Sequence, residues 1–170
     1  MFLLASLQME ALCSCLSLAV KGLLDSLPSS LNDTYLSTVD ALDKDNQTPL
    51  HFAAGFGHVD IACLLLDSNG TVDALNKDHE TPLHWATWKG HVDIVSLLLK
   101  SKATADALDK QNWTPLHWAA NRGHLEVTRL LLKAKSTINA LSETEETPLF
   151  LAVQNGHVEL AQYLQAHIHQ

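Results

Sequence analysis

Ten histidines in 170 residues are the side chains that most invite a chemical reading. Imidazole ligates metals and moves protons near neutral pH. Most of them fall in two columns. His51, His84 and His117 stand 33 residues apart, and His58, His91, His124 and His157 follow the same step. A catalytic or metal centre needs unlike ligands that converge once, as on an H-E-x-x-H helix, and no such helix occurs. A side chain that returns at a fixed interval instead braces the same piece of backbone in successive units. Buried polar groups are nearly always paired, so both columns are expected to be structural. His167 and His169 offer adventitious metal binding and nothing more.

The remaining chemistry is sparse. There is no nucleophile elbow G-x-S-x-G, no kinase motif set, no Rossmann glycine pattern and no G-x-x-x-x-G-K-[ST] phosphate loop. Most carboxylates fall in short polar stretches, where Asp stabilises turns through its own backbone. The three cysteines are Cys13, Cys15 and Cys63. An odd count with a C-x-C spacing supports neither a disulfide scaffold nor a zinc site, and the chain reads as a protein of a reducing, cytoplasmic compartment. Cys63 lies among leucines, where an inert buried thiol is expected. No enzyme, metal, cofactor or small-molecule substrate is expected.

Hydrophobic residues make up 46% and charged residues 18% of the chain, enough to bury a core. The formal charge is −8. Duplex binding requires basic side chains against phosphate, and anionic membranes attract the same, so neither partner is expected. The apolar runs at residues 1–7 and 11–20 are too short to span a bilayer. They lack the basic flank of an export leader. The N-x-T triplets at Asn32, Asn46, Asn69 and Asn112 are therefore read as by-products of structural motifs.

The elements that place these residues emerge from the repeat. Thr48-Pro49-Leu50-His51 returns as Thr81-Pro82-Leu83-His84, Thr114-Pro115-Leu116-His117 and Thr147-Pro148-Leu149-Phe150, at steps of 33 residues. Gly57-His58, Gly90-His91, Gly123-His124 and Gly156-His157 keep the register. So do Leu64-Leu65-Leu66, Leu97-Leu98-Leu99 and Leu130-Leu131-Leu132. Ahead of each motif lies Asp40-Ala41-Leu42, Asp73-Ala74-Leu75, Asp106-Ala107-Leu108 or Asn139-Ala140-Leu141. Thr48 suits an N-cap and Pro49 the first helical turn. Leu50, Ala53 and Ala54 give one apolar face, and Gly57 supplies the positive φ that ends the helix. A second helix from about Val59 to Leu66 is expected to bury Ile61, Leu64 and Leu65. One such unit cannot bury its own apolar face, whereas stacked units bury it for each other.

The pattern T-P-L-H-x-A-A-x-x-G-H resembles the ankyrin-repeat family over residues 40–170. The resemblance implies an all-α solenoid of four helix-turn-helix repeats with hairpin loops, near 40–72, 73–105, 106–138 and 139–170. Where the family has glycine before the Thr, this chain has Asn46, His79, Asn112 and Glu145. At the end of the second helix it has Asn69, Lys102 and Lys135. Non-glycine residues in a left-handed turn lower the expected stability, most of all at Glu145. Phe150 and Gln165 depart from the repeat as a closing copy would. Residues 1–39 lack every mark of the repeat and form a separate N-terminal segment. Helices are expected there near 2–12, 14–26 and 32–39. Within it, Phe2-Leu3-Leu4-Ala5 and the stretch from Leu27 to Tyr35 resemble the segment after the NACHT module of fungal NACHT–ankyrin proteins. That likeness implies an alternative role, the sensor fragment of a nucleotide-driven signalling receptor.

The family resemblance further implies a non-catalytic module that binds a protein through loop tips and first-helix edges. The matching positions are Lys44, Asp45, Gln47, Gly55 and Phe56 in the first copy. In the second they are Lys77, Asp78, Glu80, Trp88 and Lys89, and in the third Lys110, Gln111, Trp113, Asn121 and Arg122. The fourth has Glu143, Thr144, Glu146, Gln154 and Asn155. Trp85 and Trp118 follow the motif His and are expected to pack between repeats. Trp88 and Trp113 replace residues that are polar or Gly in sister copies. They are expected to face solvent as binding anchors, a role in which Trp is over-represented. The loops are rich in acids, which favours a partner with a basic or mixed-charge segment.

Overall fold

The computed structural model describes residues 39–168, and among them the chain forms eight helices and no strand. They come in pairs: α1 (Pro49–Phe56) with α2 (Val59–Asp67), α3 (Pro82–Lys89) with α4 (Val92–Lys100), α5 (Pro115–Arg122) with α6 (Leu125–Lys133), and α7 (Pro148–Gln154) with α8 (Val158–His167). First helices contact first helices in the order α1, α3, α5, α7, and second helices follow as α2, α4, α6, α8. The result is a stack of helix pairs, as the repeat implied. The helices expected within residues 1–38 and the side chain of His169 lie outside the described residues.

Each first helix starts and stops for the reasons legible in its sequence. Thr48, Thr81, Thr114 and Thr147 are N-caps with extended backbone, and Pro follows at the first helical position. Gly57, Gly90 and Gly123 close the first three of these helices with φ of 80°, 77° and 75°. A side chain at Gly90 would also strike the His124 ring, since an added Cβ would lie 2.6 Å from it. The non-glycine turn residues adopt the left-handed conformation the family pattern demands. φ is 59° at Asn46, 60° at His79, 57° at Asn112, 59° at Glu145, 62° at Asn69, 68° at Lys102 and 67° at Lys135.

The core runs the length of the stack. Leu50, Ala53 and Ala54 are buried, as are Leu83, Leu98, Leu116, Leu131 and Leu164. The alanines keep first helices close. One expectation fails: Ile61 is 48% exposed, although its counterparts Ile94, Val127 and Leu160 are buried. Those three pack inside the stack, whereas Ile61 lines a hollow with Phe52 and Phe56 built from the first repeat's own residues. Cys63 is buried on α2 as expected, but it is disulfide-bonded and not the inert thiol its surroundings implied.

Candidate interaction surface

The histidine columns act as brackets. The Thr48, Thr81 and Thr114 amides each donate to Nδ1 of His51, His84 and His117 at 3.0 Å. Nδ1 being the acceptor, the proton sits on Nε2, which donates across to the next loop. His51 reaches the Glu80 carbonyl at 3.0 Å, His84 that of Trp113 at 3.2 Å and His117 that of Glu146 at 3.1 Å. Burial lowers the pKa of all three, outweighing the hydrogen bond to the next loop's carbonyl, which alone would raise it. The second column points the other way. His91, His124 and His157 donate from Nε2 to the carbonyls of Gly55, Trp88 and Asn121, closing the preceding first helix. Burial lowers the pKa of His124 as well. Every ring nitrogen so used is committed to backbone. Among the described residues no group of three His, Cys, Asp or Glu side chains could hold a metal ion.

Many loop acids are likewise occupied. Asp40, Asp73 and Asp106 each accept from the backbone amide and hydroxyl of a threonine one repeat on, Thr71, Thr104 and Thr137, at 2.7–3.1 Å. Asp43 and Asp109 fold their own hairpins, Asp43 accepting from the Asp45 and Gln47 amides and Asp109 from those of Gln111 and Trp113. Asn76 and Ser142 do the same in the other two copies. Successive hairpin tips are then tied by one backbone bond each: Lys77 to Asp45, Lys110 to Asp78 and Glu143 to Gln111. This geometry holds the tips in a fixed row.

On that frame the expected contact residues divide in two. Lys44, Phe56, Lys77, Asp78, Lys89, Lys110, Gln111 and Arg122 are exposed, while Asp45, Gln47, Glu80, Trp88, Trp113 and Asn121 are half-buried. Trp88 and Trp113 therefore do not face solvent outright; they join Trp118 in an aromatic run. Ring centroids are 6.3 Å apart for Trp88–Trp118 and 4.8 Å for Trp113–Trp118. Lys89 lies 3.9 Å and Arg122 5.2 Å from the Trp88 ring, so two cations cover its face. The Trp88 indole N–H is buried without a hydrogen-bond partner. Trp85 packs between repeats as expected, edge-on to His51 and Phe52 and hydrogen-bonded to Glu80. Only glycine fits at position 55 beneath it, an added Cβ there falling 2.7 Å from the Trp85 ring. Trp118 is fixed by its N–H on Asp109.

Sequence reasoning overlooked one component. Leu42, Leu75, Leu108 and Leu141 occupy one repeat position on the loops and are 61%, 52%, 50% and 57% exposed. Single exposed leucines are ordinary; the same leucine exposed in every copy is a row. The signal was available, since these leucines helped define the register, but they served there only as a mark of repetition.

The family model described as Ankyrin repeats (3 copies) matches residues 9–110 and 101–170. The chain belongs to the ankyrin-repeat family, whose members are in general protein–protein interaction modules and typically non-catalytic. The comparison with curated proteins found no match. Among the described residues no helix is long and apolar enough to cross a membrane.

Proposed function

We propose that this chain is a non-catalytic module that binds a protein partner along the edge made by its loop tips and first helices. One observation carries the reading: the Trp88–Trp118–Trp113 run crosses neighbouring repeats beside a row of exposed leucines, on loops tied tip to tip. A surface already ordered loses little conformational entropy on binding, and aromatic side chains dominate binding energy where they are partly enclosed. Lys44, Lys77, Asp78, Lys110 and Gln111 form the polar rim. Loop acids speed the encounter with a segment of basic or mixed charge.

The test is affinity capture with immobilised wild type, the Leu75→Ser/Leu108→Ser variant and the Trp88→Ala/Trp113→Ala variant. Circular dichroism and melting reveal any loss of fold. The leucine pair is exposed, so that variant keeps its fold. A partner held by wild type and at least tenfold more weakly by the folded leucine variant supports the proposal. Equal retention by both folded proteins defeats it.

A further inference from the structure

The hollow between the third and fourth loops departs from its sisters in a way that defines a ligand. In the first junction Lys77 pairs with Asp45, nitrogen to oxygen 3.6 Å. In the second, Lys110 pairs with Asp78 at 3.5 Å. Each lysine comes from the tip of the later loop and meets an acid on the tip before it. At the third junction both partners change. The lysine position holds Glu143 and the preceding acid position holds Gln111. Beside them the hollow is walled by Trp113 and Trp118, tilted 60° to one another, with Thr144 and Glu146 on the rim and a volume of about 460 Å³. Trp113 replaces Gln47 and Glu80 of the earlier loops, so this is the junction where indole rings come from both the loop and the first helix.

Two carboxylates thus border a hollow with aromatic walls, and among the described residues neither Glu143 nor Glu146 forms an ion pair. The Glu146 carboxylate accepts only a hydroxyl proton, from Thr144 at 2.9 Å. His117 beneath the hollow is committed to the Glu146 carbonyl, and burial lowers its pKa, so it supplies no charge at neutral pH. Lys110 is drawn toward Asp78, and Lys89 and Arg122 lie at Trp88. A flexible apolar stem ending in an ammonium satisfies both the indole faces and the carboxylates. That is the group the chain itself supplies at the two earlier junctions.

We infer that the hollow lined by Trp113, Trp118, Glu143 and Glu146 receives a lysine side chain from the protein partner, in place of the internal lysine that the first two junctions carry. This rests on the reading that the loop edge binds protein, and adds one specificity element to it. The partner's lysine enters between the indoles, its methylenes against the rings and its ammonium at the two glutamates.

The probe is the peptide acetyl-Gly-Gly-Lys-Gly-Gly-amide, titrated against the isotope-labelled chain while the Trp113 indole N–H resonance is followed. The control replaces lysine by norleucine, which keeps the stem and removes the charge. A saturable shift with the lysine peptide and none with norleucine is expected. Glu143→Gln should weaken binding at least threefold. Gln111→Asp/Glu143→Lys recreates the sister pattern, so the fold is retained and the hollow fills from within; binding should fall at least tenfold. No shift in wild type, an equal shift with norleucine, or full binding by the double variant would overturn the inference. Such a result with partner capture still sensitive to Leu75→Ser/Leu108→Ser sinks the lysine site alone. Capture insensitive to the leucines sinks the binding edge instead.

Discussion

The buried histidine bracket and the exposed loop edge run side by side along the same stack, and they treat repetition in opposite ways. His51, His84 and His117 make the same two backbone bonds in each copy, within 0.2 Å. The edge positions change from copy to copy: Gln47, Glu80, Trp113 and Glu146 at one, Lys44, Lys77, Lys110 and Glu143 at another. Backbone that must meet backbone tolerates one solution, and a ring with nitrogens on opposite sides supplies it. A surface that meets something other than itself is free to differ. In this chain, identity between copies marks architecture and difference marks recognition.

The sharpest way to break that contrast is to remove one bracket and one edge residue and compare them. His84→Ala leaves the Thr81 amide and the Trp113 carbonyl without their partner in a buried site, and opens a cavity. Unpaired buried groups cost about 1–3 kcal/mol each and lost packing adds to that. A loss of about 2–4 kcal/mol in urea unfolding is expected. Lys110→Ala removes one exposed ion pair, 3.5 Å long, and should change stability by less than about 0.5 kcal/mol. Equal losses from the two variants would mean that the bracket is not what holds adjacent repeats together.

Acid should act on the same brackets collectively. Burial lowers the folded pKa of His51, His84, His117 and His124. For His124 that burial is opposed by the bond to the Trp88 carbonyl. Above about pH 6.5, the ordinary histidine value, folded and unfolded chains both hold these rings neutral and stability is full. As the pH falls through that value the unfolded chain takes up protons that the folded chain resists. Unfolding is favoured, and stability declines until the folded rings are themselves protonated. The urea midpoint should therefore be lower at about pH 5.5 than at about pH 7.5, and the decline should be shallower in His84→Ala. A midpoint indifferent to pH over that range would show that these rings do not carry the pH dependence.

How much of this was legible in the sequence follows from the same division. Period, N-caps, glycine stops and the structural use of histidine were readable, because each is a local rule repeated in register. Burial at the ends of the repeat was not. Ile61 obeys the helix pattern of Ile94, yet it lies exposed beside Phe52 and Phe56, because its cover must come from outside its own repeat. The half-burial of Trp88 and Trp113 was hidden for a related reason. Their counterparts are small or polar, which marks an accessible position, but three indoles placed on neighbouring repeats shield one another. The change at the third junction needed the Lys77–Asp45 and Lys110–Asp78 pairings first, since only the structure shows which tip residues face each other.

The smallest expected effect sharpens the comparison within the loops themselves. Asn112 and Glu145 occupy the same turn position with φ of 57° and 59°. A left-handed backbone costs an ordinary side chain roughly 1–2 kcal/mol, while Asn tolerates it and glycine carries no Cβ to clash. Glycine also loses more conformational entropy on folding, which offsets part of the gain. Glu145→Gly should thus raise stability by about 0.5–1 kcal/mol, and Asn112→Gly should change it by a few tenths at most. Both residues are exposed, so neither substitution disturbs packing. Urea unfolding of the two variants decides the matter: a larger gain at Asn112 than at Glu145 would show that backbone strain is not what separates the fourth loop from the third.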